Sequence, residues 1–282
     1  MENKINYQKE LQKLLENVKK LPKKPTLLLH ACCGPCFTLP HEELKDYFDI
    51  TIIYNNSNIY PEAEYNRRKE ELNRFLSEVD PDIKVIDVPY DNLNYMKDLE
   101  PLKDIPEGGE RCFKCYRKRL TFGYDYAEEH GFDYFGTVMS ISRYKNSQML
   151  NKIGYELEQS HQKTKWLPAD FKKNNGYEKS LKIVREHEMY FQEYCGCEYS
   201  YQEHLRRKNK WFRQNGIFYF LTNMFSITAT MVSISSGLLT AVNNVIAVNA
   251  SLLINRCPFF TKTWFLFKNS RKRVAAILLQ PS

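Results

Sequence analysis

Apolar and polar residues alternate in blocks over the first two hundred residues, and the period of the pattern switches from block to block. In MENKINYQKELQKLLENVKKL, the residues Ile5, Leu11, Leu14, Leu15 and Val18 recur at helical spacing and predict an amphipathic helix. Pro22 and Pro25 end it. TLLLHA (26–31) is a continuous apolar run, as expected of a strand buried on both faces. FDITIIYNN (48–56) reads as a second strand, IKVIDVPY (83–90) as a third and FDYFGTVMSIS (132–142) as a fourth. Between them, EAEYNRRKEELNRFLSEV (62–79) and ERCFKCYRKRLTFGYDYAEEHG (110–131) carry helical periodicity, the second closed by Gly131. LKIVREHEMYF (181–191) is a later helix. No element is assigned between Ala31 and Phe48. Strands alternating with helices predict an α/β architecture: a Rossmann-like parallel sheet flanked by helices. Ligands of such sheets sit outside the carboxyl ends of the strands.

The pattern breaks after residue 208. Asn215 to Asn255 holds no charged residue, and no Asp or Glu follows Glu203. The chain therefore divides into a Rossmann-like domain, 1–208, and a basic and apolar extension, 209–282. The extension is long enough to cross a bilayer once, though Asn243, Asn244 and Asn249 weaken that reading. Three readings stand: a membrane anchor, a buried hairpin, or a non-native end. Any association with membrane would run through this extension alone.

Charge changes the picture in one respect. The net charge of +7 suggests nucleic-acid binding, but residues 204–282 hold eleven of the 41 Lys and Arg. Residues 1–203 thus carry 30 basic against 34 acidic side chains. The body must hold any polyanion through a local patch. The N-terminus has no apolar signal-peptide core, so a cytoplasmic location is expected. In a reducing compartment, eight cysteines suggest metal binding or redox chemistry before a disulfide framework.

Those cysteines are grouped. Cys32-Cys33 with Cys36 follows the first strand, where a Rossmann-like fold would place a phosphate loop; no GxGxxG or GxxxxGK[ST] is present. Cys112 and Cys115 open the second long helix. Four thiolates from these two groups suit an iron–sulfur cluster or a tetrahedral zinc. The roughly 80-residue separation and the adjacent cysteine pair favour iron–sulfur over a compact zinc ribbon, which brings its two CxxC pairs within about 15–20 residues. Cys195-Gly196-Cys197 reads as a redox-active pair, with two extra metal ligands or two unrelated thiols as the alternatives. Cys257 stands alone and is given no role. His30 reads as a satisfied, partly buried residue next to the cysteines, with a role in supporting the metal ligands as its alternative.

HACCGPC, NNSNIYPEAEYNRR, GGERCFKCYRKRL, FGTVMSISRYKNSQ and GYEKSLKIVREHEMYFQEYCGCEYS together resemble, in order and spacing, the cobalamin-independent epoxyqueuosine reductases, the QueH family. The resemblance covers residues 26 to about 208. It departs at NSNIYP, where the family tends to read NPNIHP, and it does not extend to the tail. The resemblance implies a sheet of the HUP type and an oxidoreductase that converts epoxyqueuosine to queuosine at the wobble position of tRNAs for Asp, Asn, His and Tyr. It implies that Cys32, Cys33, Cys112 and Cys115 ligate a [4Fe-4S] cluster, that Cys36 binds an additional iron, and that Cys195 and Cys197 form the catalytic redox pair. The electron donor is not identified by it.

An anticodon loop is read by aromatic stacking and by basic contacts to phosphates. Arg67, Arg68, Arg117, Lys118, Arg119, Arg143, Lys145, Tyr65, Tyr116 and Tyr144 lie near the motifs. Arg119, Arg143 and Tyr144 are the substrate-binding candidates, being placed just after the CxxC or after the fourth strand. Two rivals remain. A tRNA sulfur-transfer enzyme would need an SGGxDS-type loop, which is absent after the first strand. A zinc-stabilised module or electron carrier would have no activity on modified RNA.

Overall fold

The computed structural model describes residues 4–211. The readings of the tail as anchor, hairpin or non-native end lie outside the described residues. Five strands form one parallel sheet in the order β3-β2-β1-β4-β5. β1 (Thr26–His30) lies at its centre, between β2 (Asp49–Tyr54) and β4 (Tyr134–Thr137); β3 (Lys84–Asp87) and β5 (Lys165–Trp166) are the edges. The position of β1 explains its composition: Leu27, Leu28 and Leu29 are fully buried, covered on both faces and by a strand on either side.

Helices α1 (Tyr7–Val18), α2 (Gly34–Leu44), α3 (Glu62–Val79), α4 (Asn92–Lys97), α5 (Glu110–Glu129), α6 (Ser147–Glu158) and α7 (Gly176–Glu186) complete the domain. α2 packs on α3 and α7, and α5 on α6. Residues 198–211 are helical as well. No helix among the described residues is long and apolar enough to cross a membrane.

Besides α4, α6 and β5, for which the sequence reading assigns no element, three elements differ from the sequence expectation. The segment after β1 is helical from Gly34, so Cys36 sits in a first helical turn; Pro35 is tolerated there because the first turn needs no intrahelical N–H. The fourth strand stops at Thr137, whose hydroxyl accepts the Met139 N–H and starts a 3₁₀ turn, Val138–Ile141. The late helix begins at Gly176, entered through Asn174 and Asn175 at φ of 54° and 60°, and has ended before Glu188 at φ 48°.

The turn entering β5 is held by one carboxylate. Glu128 accepts from the backbone N–H groups of Gln162, Lys163 and Thr164. The Thr164 amide, then those of Gln162 and Lys163, lower its pKa from 4.5 to about 2. A depressed carboxylate pKa contributes stability above the unfolded value that is lost as pH falls through the folded one. Glu128→Gln is therefore expected to lower the urea midpoint at pH 7, and the gap to wild type should close between about pH 4.5 and about pH 2. A gap unchanged by acid would mean that shape, not charge, is what Glu128 supplies.

Candidate metal–thiolate site

The connections reverse direction beside β1. β1 continues to β2 on one side, and the chain returns from β3 to β4 on the other, so a crevice opens at the carboxyl ends of β1 and β4. The cysteine loop leaves β1 at this point. His30, the last residue of β1, is fully buried; its Nδ1 meets the Thr137 hydroxyl at 2.9 Å, and its Nε2 has no close hydrogen-bond partner among the described residues. Burial, with the Arg119 charge, lowers its pKa to about 3, so the ring is neutral.

Cys32, Cys33 and Cys36 converge, with all three sulfurs within 4.8 Å of one another and every residue buried. The Cys32 and Cys33 sulfurs are 3.9 Å apart. Cys33 is the N-cap of α2 and has no side-chain capping bond; the positive end of the helix lies beside these sulfurs. Gln192 closes the group: its Nε2 donates to Cys33 Sγ at 3.1 Å and reaches Cys36 Sγ at 3.7 Å.

Three sulfurs this close cannot all ionise without a cation. Hydrogen bonds from Cys33 and then Cys36 hold the Cys32 thiol well below its ordinary range. Burial, then its bonds to the other two sulfurs, pushes Cys33 far up. Donation to Cys32 drives Cys36 up to about 12. One sulfur takes the charge and the others keep their protons. A thiophilic metal would displace those protons and take their place. Cys32, Cys33 and Cys36 can thus hold a metal ion.

Cys112 and Cys115 occupy a second place. Both lie in the first two turns of α5, three residues apart and so on one face. With Cys195 and Cys197 they line one pocket, together with Asn58, Arg111, Arg119, Tyr116 and Tyr199. None of the described residues lining it is a carboxylate. Gly108 N–H donates to Cys112 Sγ at 3.3 Å, and the Tyr95 hydroxyl reaches Cys115 Sγ at 3.3 Å. Burial raises the Cys112 thiol, and burial with the neighbouring Cys195 raises Cys197 to about 11.

Two buried cations face sulfurs of both groups. Arg119 is 1% exposed, and its Nε and Nη2 have no hydrogen-bond partner among the described residues. Burial opposes its charge, but Cys115, Tyr95, Cys195 and Cys32 outweigh burial and raise its pKa. Lys145 is likewise buried, and Cys195, Cys32 and Cys36 raise it against the same penalty. The Asn58 Oδ1 is also buried and has no hydrogen-bond partner among the described residues.

The substrate-binding candidates separate. Arg119 belongs to the sulfur pocket and not to the surface. Arg143 and Tyr144 are exposed, Tyr144 to 72%. Arg143 lies over the Tyr177 ring at 4.5 Å and the Tyr144 ring at 6.0 Å. Of the other cations, Arg117 pairs with Glu156, Lys118 with Asp98, and Arg67 stacks on Tyr190. Sequence reasoning missed Gln192 and Asn58. Both stand inside quoted motifs, but an amide beside cysteines gives no signal of its own.

The described residues match the family model for epoxyqueuosine reductase QueH over residues 27–203. A Streptococcus pyogenes protein named epoxyqueuosine reductase QueH is 39% identical over 201 residues, covering 70% of this chain and 78% of that protein. One of the same name from Staphylococcus aureus is 38% identical, covering 69% and 83%. The Thermotoga maritima protein of that name is 26% identical over 68% of this chain and 98% of its own length.

Proposed function

The chain belongs to the epoxyqueuosine reductase QueH family and is an oxidoreductase, and from that premise we propose that it reduces epoxyqueuosine at the wobble position of tRNAs for Asp, Asn, His and Tyr, giving queuosine. The epoxide takes two electrons and two protons, its oxygen leaves as water, and a carbon–carbon double bond forms. Side chains do not supply such electrons, so a metal cofactor must carry them. The buried group of Cys32, Cys33 and Cys36 carries this reading.

The donor set fits an iron–sulfur centre: soft thiolates, burial, an amide donor to sulfur and a buried guanidinium with unmet donors. Cys32, Cys33, Cys112 and Cys115 would hold a [4Fe-4S] cluster, and Cys36, packed against the first two, would be a ligand of an additional iron. When bound, the centre supplies low-potential electrons. Cys195 and Cys197 act as a dithiol that closes to a disulfide and passes two electrons on. Arg143 and Tyr144, exposed beyond the end of β4, receive the anticodon loop by phosphate pairing and stacking. Residues 1–208 carry this activity, in the cytoplasm, and residues 209–282 are an extension.

A zinc-stabilised fold is the second reading. A tetrahedral ion with metal–sulfur bonds of about 2.3 Å has sulfur–sulfur edges of roughly 3.8 Å, close to the 3.9 Å between Cys32 and Cys33. The protein, purified without oxygen, should carry about four iron and four sulfide, with a further iron, and should convert epoxyqueuosine in tRNA when given a chemical reductant. A chain ended at residue 208 should do the same. One zinc and no sulfide would overturn the cofactor assignment.

A further inference from the structure

Arg68 is an arginine in the middle of a helix, and its spacing from Glu64 suggests an ordinary surface pair. It is not on the surface. The side chain is 2% exposed and its Glu64 partner 10%. Burying a guanidinium is costly unless every donor is met. Here Nε donates to Glu64 Oε1 at 2.7 Å, Nη1 to the Cys195 carbonyl at 3.1 Å and Nη2 to the Tyr194 carbonyl at 3.1 Å. The Tyr194 ring lies under the guanidinium, 5.2 Å from ring centre to Cζ. Glu64 is fixed in turn by the Tyr190 hydroxyl, at 3.1 and 2.9 Å from its two oxygens.

The next carbonyl along, that of Gly196, accepts the Tyr60 N–H at 2.8 Å. Three consecutive carbonyls, 194 to 196, are therefore held by the stretch from Tyr60 to Arg68. Gly196 lies at φ 133°, and a Cβ there would meet Arg68 Nη1 at 3.1 Å and Ile59 Cγ1 at 3.2 Å. Glycine is needed for the backbone angle and for the approach of the arginine.

We infer that Arg68, gripped by Glu64, is a positioning residue that fixes the backbone of Cys195-Gly196-Cys197 and so sets the thiol–disulfide equilibrium of that pair. The inference rests on the reading of Cys195 and Cys197 as a redox couple. Both are free thiols in this structure, so the clamp is made to the dithiol form. Closing the disulfide forms one S–S bond, releases two protons and sends two electrons to an acceptor such as glutathione disulfide, which leaves as two glutathione thiols. Closure also fixes the two Cβ atoms at about 3.8 Å with a defined torsion, a constraint on the same backbone that the clamp already pins in the dithiol form. Interactions made by one redox state alone favour that state. The clamp thus favours the dithiol, and its loss favours the disulfide.

The full chain would be equilibrated without oxygen in glutathione buffers of graded ratio and alkylated. The tryptic peptide spanning residues 186–206, which holds only these two cysteines, would then be read by mass spectrometry. Arg68→Met and Gly196→Ala are expected to raise the equilibrium constant for disulfide formation about 10-fold, a fall of roughly 30 mV in a two-electron potential. Arg68→Lys keeps the charge but cannot bridge two carbonyls and a carboxylate, and it should move the same way. A wild-type midpoint in Arg68→Lys would mean that charge alone acts, and the clamp would be rejected. Midpoints within 2-fold of wild type in all three variants would also reject it. A wild-type chain that never forms the disulfide would instead remove the redox reading, and the inference with it.

Discussion

Serine at Cys36 is expected to remove at least one iron per chain and to lower epoxyqueuosine reduction by more than about 100-fold, beyond what loss of an outer-shell partner costs. The change is nearly isosteric. It leaves the first turn of α2 intact, and Pro35 and the packing of α2 on α7 are untouched. What it removes is a soft donor. A serine hydroxyl keeps its proton at neutral pH and is a poor ligand for a thiophilic centre. Cys36 lies within 4.8 Å of both other sulfurs and shares the Gln192 amide with Cys33, so the three together could hold a metal ion. Iron and sulfide analysis beside a thermal melt checks this. A variant that melts like wild type and keeps its full metal content would show that Cys36 is a buried thiol and nothing more.

Methionine at Arg119 should act in opposite directions on the two forms of the protein. Arg119 is buried, its Nε and Nη2 have no partner among the described residues, and none of the described residues lining its pocket is a carboxylate. Replacing Arg119 by an apolar side chain of similar length spares the cost of burying a guanidinium whose donors are unmet. The metal-free variant should therefore unfold at higher urea. With metal bound, the thiolates bring negative charge next to that guanidinium, and its removal should weaken metal retention or activity about 10–100-fold. Denaturation of the chelator-stripped protein and metal loss from the loaded protein are separate measurements. If the variant were less stable without metal, Arg119 would be a structural residue and its charge would not be held in readiness for the sulfurs.

Much of this arrangement is legible in the residues. The triple leucine of β1 announces a strand covered on all sides, and the period switch after Pro61 announces α3. The helix after β1 is not legible, because GPCFTLPHEEL carries two prolines that read as breaks, while Pro35 falls where the first turn tolerates it. Nor is Gly176 as the start of α7, since its entry depends on two asparagines in left-handed geometry.

Spacing identifies the three cysteine groups but not their partners. The family resemblance links Cys32 and Cys33 to Cys112 and Cys115, whereas the fold places Cys36 against the first pair and sets the CxC pair in one pocket with the CxxC pair. Only the return of the chain from β3 to β4, and the docking of residues 190–197 on α3, decide those neighbours. The same limit hides the two buried arginines. Arg68 and Arg119 look like exposed helix cations, and their partners are carbonyls and sulfurs more than 100 and up to 87 positions away along the chain.

The pocket holding Cys112, Cys115, Cys195 and Cys197 has a consequence for biosynthesis. Its two halves are synthesised some eighty codons apart, and the second half is the last part of the domain to leave the ribosome before the helix at 198–211. A growing chain can gather Cys32, Cys33 and Cys36 early, but it cannot build this pocket until translation of the domain is nearly finished. Maturation of the site is thus ordered in time, with the loop after β1 assembled first and the CxC segment added as its closing piece.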